Sequence, residues 1–360
     1  MIRSFAFADG KTGWRLEETS FGNLNLLVGP SGAGKTRILD ALRHVRGIVD
    51  TGTHNSWTGK WSLVAEALRD NYKWEVEIED GRFVRELVTR NGDENLVDRV
   101  DVFFFNGKEL PPLEETRSAV KLLHRADAIK PFYQAISQWH FLETSIAELR
   151  FDLREWAVAP FDGQLDPEGL KEAGEVPVLV RAYLLRKTPE FAELRDRYRE
   201  IFPTVEDLWI GTFPEFEGDV IGPDHIVTAG VREAGVGGWI EASSLSSGML
   251  KVLYYLIELA LTPPESVLFI DELENSLGVN CLPDLSEELV RKSGEVQFII
   301  TSHHPQVINT ITPEHWKLVT RQGSVVTVRD AKTIPALHTA SPLQKFTQLI
   351  NLPEYAEGVA

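Results

Sequence analysis

The segment Gly29-Pro30-Ser31-Gly32-Ala33-Gly34-Lys35-Thr36 fits the pattern G-x-x-x-x-G-K-[ST], and it restricts the fold more than any other stretch of the chain. Such a loop works only between a buried strand and the start of a helix. Both flanks are present. The apolar run Leu24 to Val28 predicts a strand, and Thr36 to Leu42 predicts the first turns of a helix. A glycine-rich turn between them aims backbone N–H groups into one concavity, and the helix adds its positive end. A polyphosphate is expected there, cradled by Gly29 through Lys35 with Thr36 and Arg37. Lys35 is expected to reach the β- and γ-phosphates and Thr36 to ligand Mg²⁺.

A second segment, Val267-Leu268-Phe269-Ile270-Asp271-Glu272, says what is done with that phosphate. Four apolar residues running into two acids predict a central parallel strand with carboxylates at its C-terminal edge. Asp271 is expected to hold Mg²⁺ through water, and Glu272 to polarise the attacking water.

The 360 residues suffice for one elaborated domain or two, with a sizeable core. A net charge of −17 argues against a surface that holds DNA by charge alone, though a local basic patch is compatible with it. With Cys281 as the only cysteine there is no disulfide framework and no thiolate zinc site. The first residues do not read as a signal peptide. The longest apolar helix candidate, Val252 to Leu261, is too short to span a bilayer and contains Glu258. A cytoplasmic protein without a membrane partner is expected.

Along the chain, Ile2 to Phe7, Trp14 to Glu17 and Leu24 to Val28 predict strands. Tyr72 to Ile78, the turn Asp80-Gly81 and Phe83 to Val88 predict a hairpin. Val100 to Phe105 predicts one more strand, ending in Asn106. From Glu114 to Phe202 the pattern turns helical. Phe132, Ile136, Trp139, Leu142, Ile146 and Leu149 recur at three- and four-residue steps after Pro131, as do Phe191, Leu194, Tyr198 and Ile201 before Pro203. Pro160 to Pro177 reads as a loop. The expected division is 1–112 for the first half of an α/β nucleotide-binding domain, 113–203 for a mainly helical insertion, and 204–360 for the second half.

Two further motifs narrow the reading. Leu245-Ser246-Ser247-Gly248 stands just before a helix and makes a second anion site without a lysine. Phe298-Ile299-Ile300-Thr301-Ser302-His303-His304-Pro305 predicts a buried strand ending in histidine. In this order the motifs resemble the ABC-type ATPases of the SMC/RecF/OLD group, particularly the compact AAA-type ATP-binding branch related to OLD nuclease ATPases. The resemblance covers nearly the whole chain in plan and about forty residues in specific motifs.

That resemblance implies an ABC-type P-loop ATPase head: a mixed β-sheet with flanking helices, an antiparallel β subdomain and the helical insertion. It implies ATP and Mg²⁺ as cofactors, with Lys35, Glu272 and His303 catalytic. Ser246, Ser247 and Gly248 match the signature, which caps the γ-phosphate of nucleotide held by the opposite subunit. His303 falls on the switch position, with His304 as the alternative. Glu274-Asn275-Ser276-Leu277 resembles the D-loop. Gly278 departs from the histidine that often follows it, and Asn106 stands where a Q-loop glutamine would ligand Mg²⁺.

The function implied is a nucleotide-driven homodimer with ATP at its interface, in DNA repair or anti-phage defence. A separate effector partner, such as a nuclease, is implied because the chain holds no D-x-D and only about forty residues follow Thr320. The alternative is the ATPase subunit of an ABC transporter, against which stand the long spacing from Lys35 to Asp271 and the absence of an evident Q-loop glutamine. A pure clamp without turnover is a further reading, disfavoured by Glu272. DNA contact has one candidate, the cluster Arg181, Arg186, Lys187, Arg195, Arg197 and Arg199, in a region with thirteen basic and thirteen acidic residues. An ion-paired solvated helix face or a partner-binding surface accounts for the same cluster.

Overall fold

The computed structural model describes residues 1–54, 57–142, 150–152, 178–212, 226–338, 345–356 and 358. The chain divides into two compact units. The first comprises 1–142, 265–273 and 289–360, and the second comprises 143–264 and 274–288.

In the first unit, β1 (Ile2–Asp9) and β2 (Arg15–Ser20) pair antiparallel, and β3 (Leu24–Val28) leads into the helix α1 (Lys35–Asp50). An antiparallel meander follows: β4 (Gly59–Ala67), β5 (Asp70–Glu79), β6 (Arg82–Arg90), β7 (Glu94–Arg99), β8 (Phe103–Phe105) and β9 (Lys108–Leu110). β4 and β5 alternate buried residues with more exposed ones, as one solvated face requires. The predicted hairpin is β5–β6, closed by Asp80 and Gly81 at φ +45° and +75°, the backbone a tight hairpin turn needs.

β3, by contrast, is buried along its whole length. Asn25 is tolerated there because its side-chain amide donates to the carbonyls of Gly22 (2.8 Å) and Phe298 (2.9 Å). α1 covers this sheet with Ile38, Leu39, Leu42, Val45, Ile48 and Val49. Trp14, Trp61, Tyr72, Trp74 and Phe132 fill the adjoining core, with Tyr72 stacked on Phe132 at 5.3 Å.

The parallel core is completed from distant parts of the chain. β10 (Trp139–Leu142), β15 (Val267–Ile270), β16 (Gln297–Thr301), β3 and β17 (Trp316–Gln322) lie side by side and parallel. β18 (Val325–Asp330) then joins β17 to β2, giving a fourteen-stranded mixed sheet in the order β10-β15-β16-β3-β17-β18-β2-β1-β4-β5-β6-β7-β8-β9.

The helical stripe expected from Pro131 onward is a correction. The helix runs only from Lys130 to Ser137, and Trp139–Leu142 is a strand. Three- and four-residue spacing at Trp139 and Leu142 fits a helix as well as a strand over so short a run. What decides is the partner: Trp139 and Phe141 stand opposite Val267 and Phe269, and the Phe141 and Phe269 rings stack at 4.2 Å. Ile146 and Leu149 lie outside the described residues, as does Pro160 to Pro177. By compactness the first unit runs to Leu142 and resumes at Glu265.

The second unit has its own four-stranded antiparallel sheet, made of β11 (Phe151–Asp152), β12 (Val205–Thr212), β13 (Ile226–Glu233) and β14 (Ile240–Glu241). The helices Val178–Leu185, Pro189–Ile201 and Ser247–Leu261 share its core. Phe191, Leu194, Tyr198 and Ile201 face inward, as their spacing predicts. Arg181, Arg195, Arg197 and Arg199 of the expected stripe face acids. Arg181 is buried against Glu258 at 2.9 Å, Arg197 meets Glu200 at 2.7 Å, Arg199 meets Asp196 at 3.4 Å, and Arg195 lies 3.9 Å from Asp207. The ion-paired reading of this cluster is the one the geometry supports. Among the described residues, no helix is long and apolar enough to cross a membrane.

Candidate nucleotide site

The loop after β3 bends where the pattern requires glycine. A Cβ on Gly29 would stand 2.3 Å from the Val319 carbonyl oxygen of β17, so only glycine allows the two backbones this close. Gly34 caps α1 in the left-handed region at φ +102°, a conformation that side chains resist. No side chain caps the helix, and its first turn carries no acid, so its positive end is left uncompensated at the loop. Lys35 Nζ donates to the carbonyl oxygens of Gly29 (2.8 Å) and Pro30 (3.1 Å), which folds it over the loop. Ser31, Gly32 and Thr36 are exposed, while Ala33 is buried beneath them.

The acids arrive from two strands away. β16 lies between β3 and β15, with Ile300 opposite both Leu26 and Ile270, so all three strands end at one edge. There Asp271 Oδ1 stands 3.3 Å from Thr36 Oγ1 and 2.5 Å from Thr301 Oγ1. The Thr301 hydroxyl donates to Asp271 and accepts from the backbone N–H of Glu272 at 2.7 Å. Leu273 N–H donates to the Thr301 carbonyl at 3.1 Å. Glu272 has φ +48°, so the chain breaks from strand geometry at that residue and leaves its carboxylate exposed. Thr301 belongs to the switch segment, but its role is invisible in sequence. It depends on pairing across 30 residues.

The two histidines separate. His304 precedes the helix Pro305–Thr310 and caps it, its Nδ1 accepting from Gln306 N–H at 3.1 Å. Its own N–H donates to Ser302 Oγ at 3.1 Å. His303 is exposed at the edge where Thr301 and Asp271 meet.

Two expected contributors stand elsewhere. Asn106 is exposed on the turn between β8 and β9 at φ +50°, nine strands along the sheet from β3, and its N–H is bound to the Leu96 carbonyl. The structure does not bring it to Thr36 or Asp271. The strand that does run parallel beside β15 is β10, whose end at Leu142 the helical spacing concealed. Arg37 turns away from the loop to bind Asp9 (2.6 Å) and Thr12 (2.7 Å), and it stacks over Trp14 at 4.6 Å. Burial opposes the Asp9 carboxylate, yet hydrogen bonds from Thr12, the Lys11 and Thr12 backbone and Arg37 outweigh it and hold its pKa below the ordinary value.

In the second unit, Ser246 caps the helix Ser247–Leu261 and accepts from Met249 N–H at 3.2 Å. Ser246 and Ser247 are exposed and Gly248 is half-buried, which leaves this helix start open to an anion.

Among the described residues, no three His, Cys, Asp or Glu side chains gather to hold a metal by themselves. Thr36 and Asp271 do converge two oxygens beside the phosphate loop, and that donor set suits a Mg²⁺ ion whose other ligands are phosphate and water.

Residues 24–309 match the protein family described as "AAA domain, putative AbiEii toxin, Type IV TA system". The chain belongs to that family. The fold of this AAA-family chain is also that of an SMC head, an ABC-type ATPase fold. It is similar to the crystal structure of an SMC head bound to the C-winged helix domain of ScpA, at 12% identity and a TM-score of 0.55. That match covers 91% of this chain and 96% of the other. The SMC head domain from Thermotoga maritima matches at 14% identity and a TM-score of 0.43, over 91% of this chain and 98% of that one. A comparison with curated proteins finds no match. The family is thus that of an AAA domain, and the likeness to the SMC head shows the fold.

Proposed function

We propose that the chain binds ATP with Mg²⁺, hydrolyses it, and uses the cycle as a homodimeric switch in DNA repair or anti-phage defence, acting on a separate effector protein. The observation that carries the hydrolytic part is the meeting of Thr36, Asp271 and Thr301 at one sheet edge, with Glu272 following directly. Thr36 and Asp271 are the residues that would hold Mg²⁺, the latter through water. When bound, the ion neutralises charge on the phosphoryl oxygens. Lys35 exchanges its loop carbonyls for phosphate oxygens and places a positive charge on them. Glu272 accepts a proton from, and so orients, the attacking water. His303 donates a hydrogen bond toward the terminal phosphate and reports its presence.

The dimer rests on Ser246 and Gly248, an anion site that has no lysine of its own. In this reading the signature of one chain completes the nucleotide site of a second, twice over by two-fold symmetry. Moving a population from 1:99 to 99:1 closed needs about 5.5 kcal/mol of differential binding, within reach of two enclosed triphosphates. The defence half accords with the toxin–antitoxin description of the family, and a protein partner accords with the ScpA domain bound by the similar SMC head. The paired arginines of the second unit favour a protein over DNA as the direct contact.

A mixing experiment tests the reading. Lys35→Ala and Ser246→Arg proteins are each expected to lose at least about a hundredfold in turnover, the scale of one transition-state contact. Their heterodimer contains one site with both defects and one with neither, so partial ATPase activity should return. If the chains associate and no activity returns, the signature does not act in trans. Glu272→Gln is expected to trap the ATP-bound dimer.

A further inference from the structure

We infer that Lys251 is a positioning residue that ties the signature helix to the loop following Asp271–Glu272, so that engagement of Ser246 and Gly248 is transmitted to Glu272. The inference rests on the hydrolytic, dimeric reading above and names a part of its machinery that no motif marks.

Lys251 lies one helical turn beyond the signature and is only 2% exposed. Its ammonium group donates to the backbone carbonyl of Asn275 and lies over the Tyr255 ring, 5.5 Å from its centroid. A buried ammonium is costly, and a leucine or methionine would fill the same space without that cost. What lysine adds is a donor long enough to reach the loop. The same loop also lies against the first turn of the helix. A Cβ on Gly248 would stand 3.4 Å from Gly278 N and 3.5 Å from Ser276 O, so the two backbones pass at van der Waals distance.

The loop is held in a shape it would not keep alone. Glu272 at φ +48° and Ser276 at φ +62° are both left-handed without being glycine, and they bracket Asn275. Such conformations persist where surrounding contacts over-determine them, and the Lys251–Asn275 bond is one such contact. Asn275 is three residues from Glu272, and Lys251 is three from Gly248. A displacement at the signature therefore has a short path to the water-activating carboxylate: one part-buried hydrogen bond and three residues of chain bracketed by two left-handed positions. Removing the bond should leave both anion sites intact while loosening Glu272.

The test uses the full chain, with steady-state ATPase over a range of ATP concentrations and light scattering for ATP-driven association in the Glu272→Gln background. Lys251→Met should lower kcat about tenfold or more, the scale of a misplaced catalytic group. KM for ATP and ATP-driven association should stay near wild type. Lys251→Arg, which keeps a donor, should recover most of kcat. Ser276→Gly frees the loop without touching a buried side chain, and it should lower kcat in the same direction. Wild-type kcat in a folded Lys251→Met overturns the inference. If Lys251→Met does not fold, Ser276→Gly decides, and wild-type kcat there overturns it too. A parallel loss of association or a raised KM assigns Lys251 a purely structural role. A wild-type chain that neither hydrolyses ATP nor associates with it overturns the functional reading first, and the inference with it.

Discussion

The hydroxyl of Thr301 donates to Asp271 Oδ1 at 2.5 Å and holds the first acid of the pair in place from the neighbouring strand. The same oxygen accepts from Glu272 N–H, so one side chain sets both the orientation of Asp271 and the backbone exit of Glu272. Thr36 approaches Asp271 from the other side at 3.3 Å, and the carboxylate sits between a helix start and a strand end.

Thr301→Val keeps the shape of the side chain and removes the hydroxyl. It is expected to lower kcat/KM for ATP by at least about tenfold, and to cost about 1 kcal/mol of stability by removing the acceptor of the Glu272 N–H. Thr301→Ser should retain most of both. ATPase assays and urea midpoints measure the two effects, and wild-type activity in Thr301→Val would remove Thr301 from the site.

The histidine pair divides along a line that the structure draws. His304→Ala should cost about 1 kcal/mol of stability, as loss of a helix cap does, with hydrolysis largely spared. His303→Ala should depress hydrolysis while ADP affinity holds, since the group it addresses is absent from ADP. Calorimetric titration with ADP beside an ATPase assay separates them. The opposite pattern would exchange the two roles.

Acid should weaken the fold through His44. Its ring lies 4.8 Å from that of Trp57 on the inner side of α1, and burial lowers its pKa first and foremost, against the opposing pull of Asp40 and Asp9. Burial lowers His315 in the same way, opposed by Glu314 and a bond to the Leu24 backbone. In the unfolded chain each takes up a proton near pH 6.5, while the folded chain resists it to a lower pH. The stability involved is complete above about 6.5 and is lost as pH falls through the folded-state values. Thermal midpoints between about pH 7 and 5 should therefore fall less steeply in His44→Leu than in wild type. Identical slopes would show that His44 does not carry the effect.

Much of the site was legible in the chain because its parts are local. Gly29 to Thr36 declares a loop between strand and helix, since the left-handed Gly32 and Gly34 and the close approach at Gly29 need glycine wherever that loop occurs. Asp271-Glu272 at the end of an apolar run, and Ser246 at the head of an apolar helix, are legible for the same reason. Asn106 was misleading because a strand followed by an amide side chain has the right local texture in the wrong part of the sheet. Trp139–Leu142 was misread because four residues cannot show their period, and only the β15 partner makes them a strand.

Local sequence thus determined which segments form glycine-rich loops, cap helices and end in acids, because those properties depend on the backbone geometry of a few adjacent residues. Tertiary structure decided which of them meet. Inserting β16 between β3 and β15 brings Thr301 to Asp271 across 30 residues and Thr36 to Asp271 across 235. Strand order and register in a parallel sheet are set by packing on both faces between segments far apart in the chain. The pattern of no single segment contains that information.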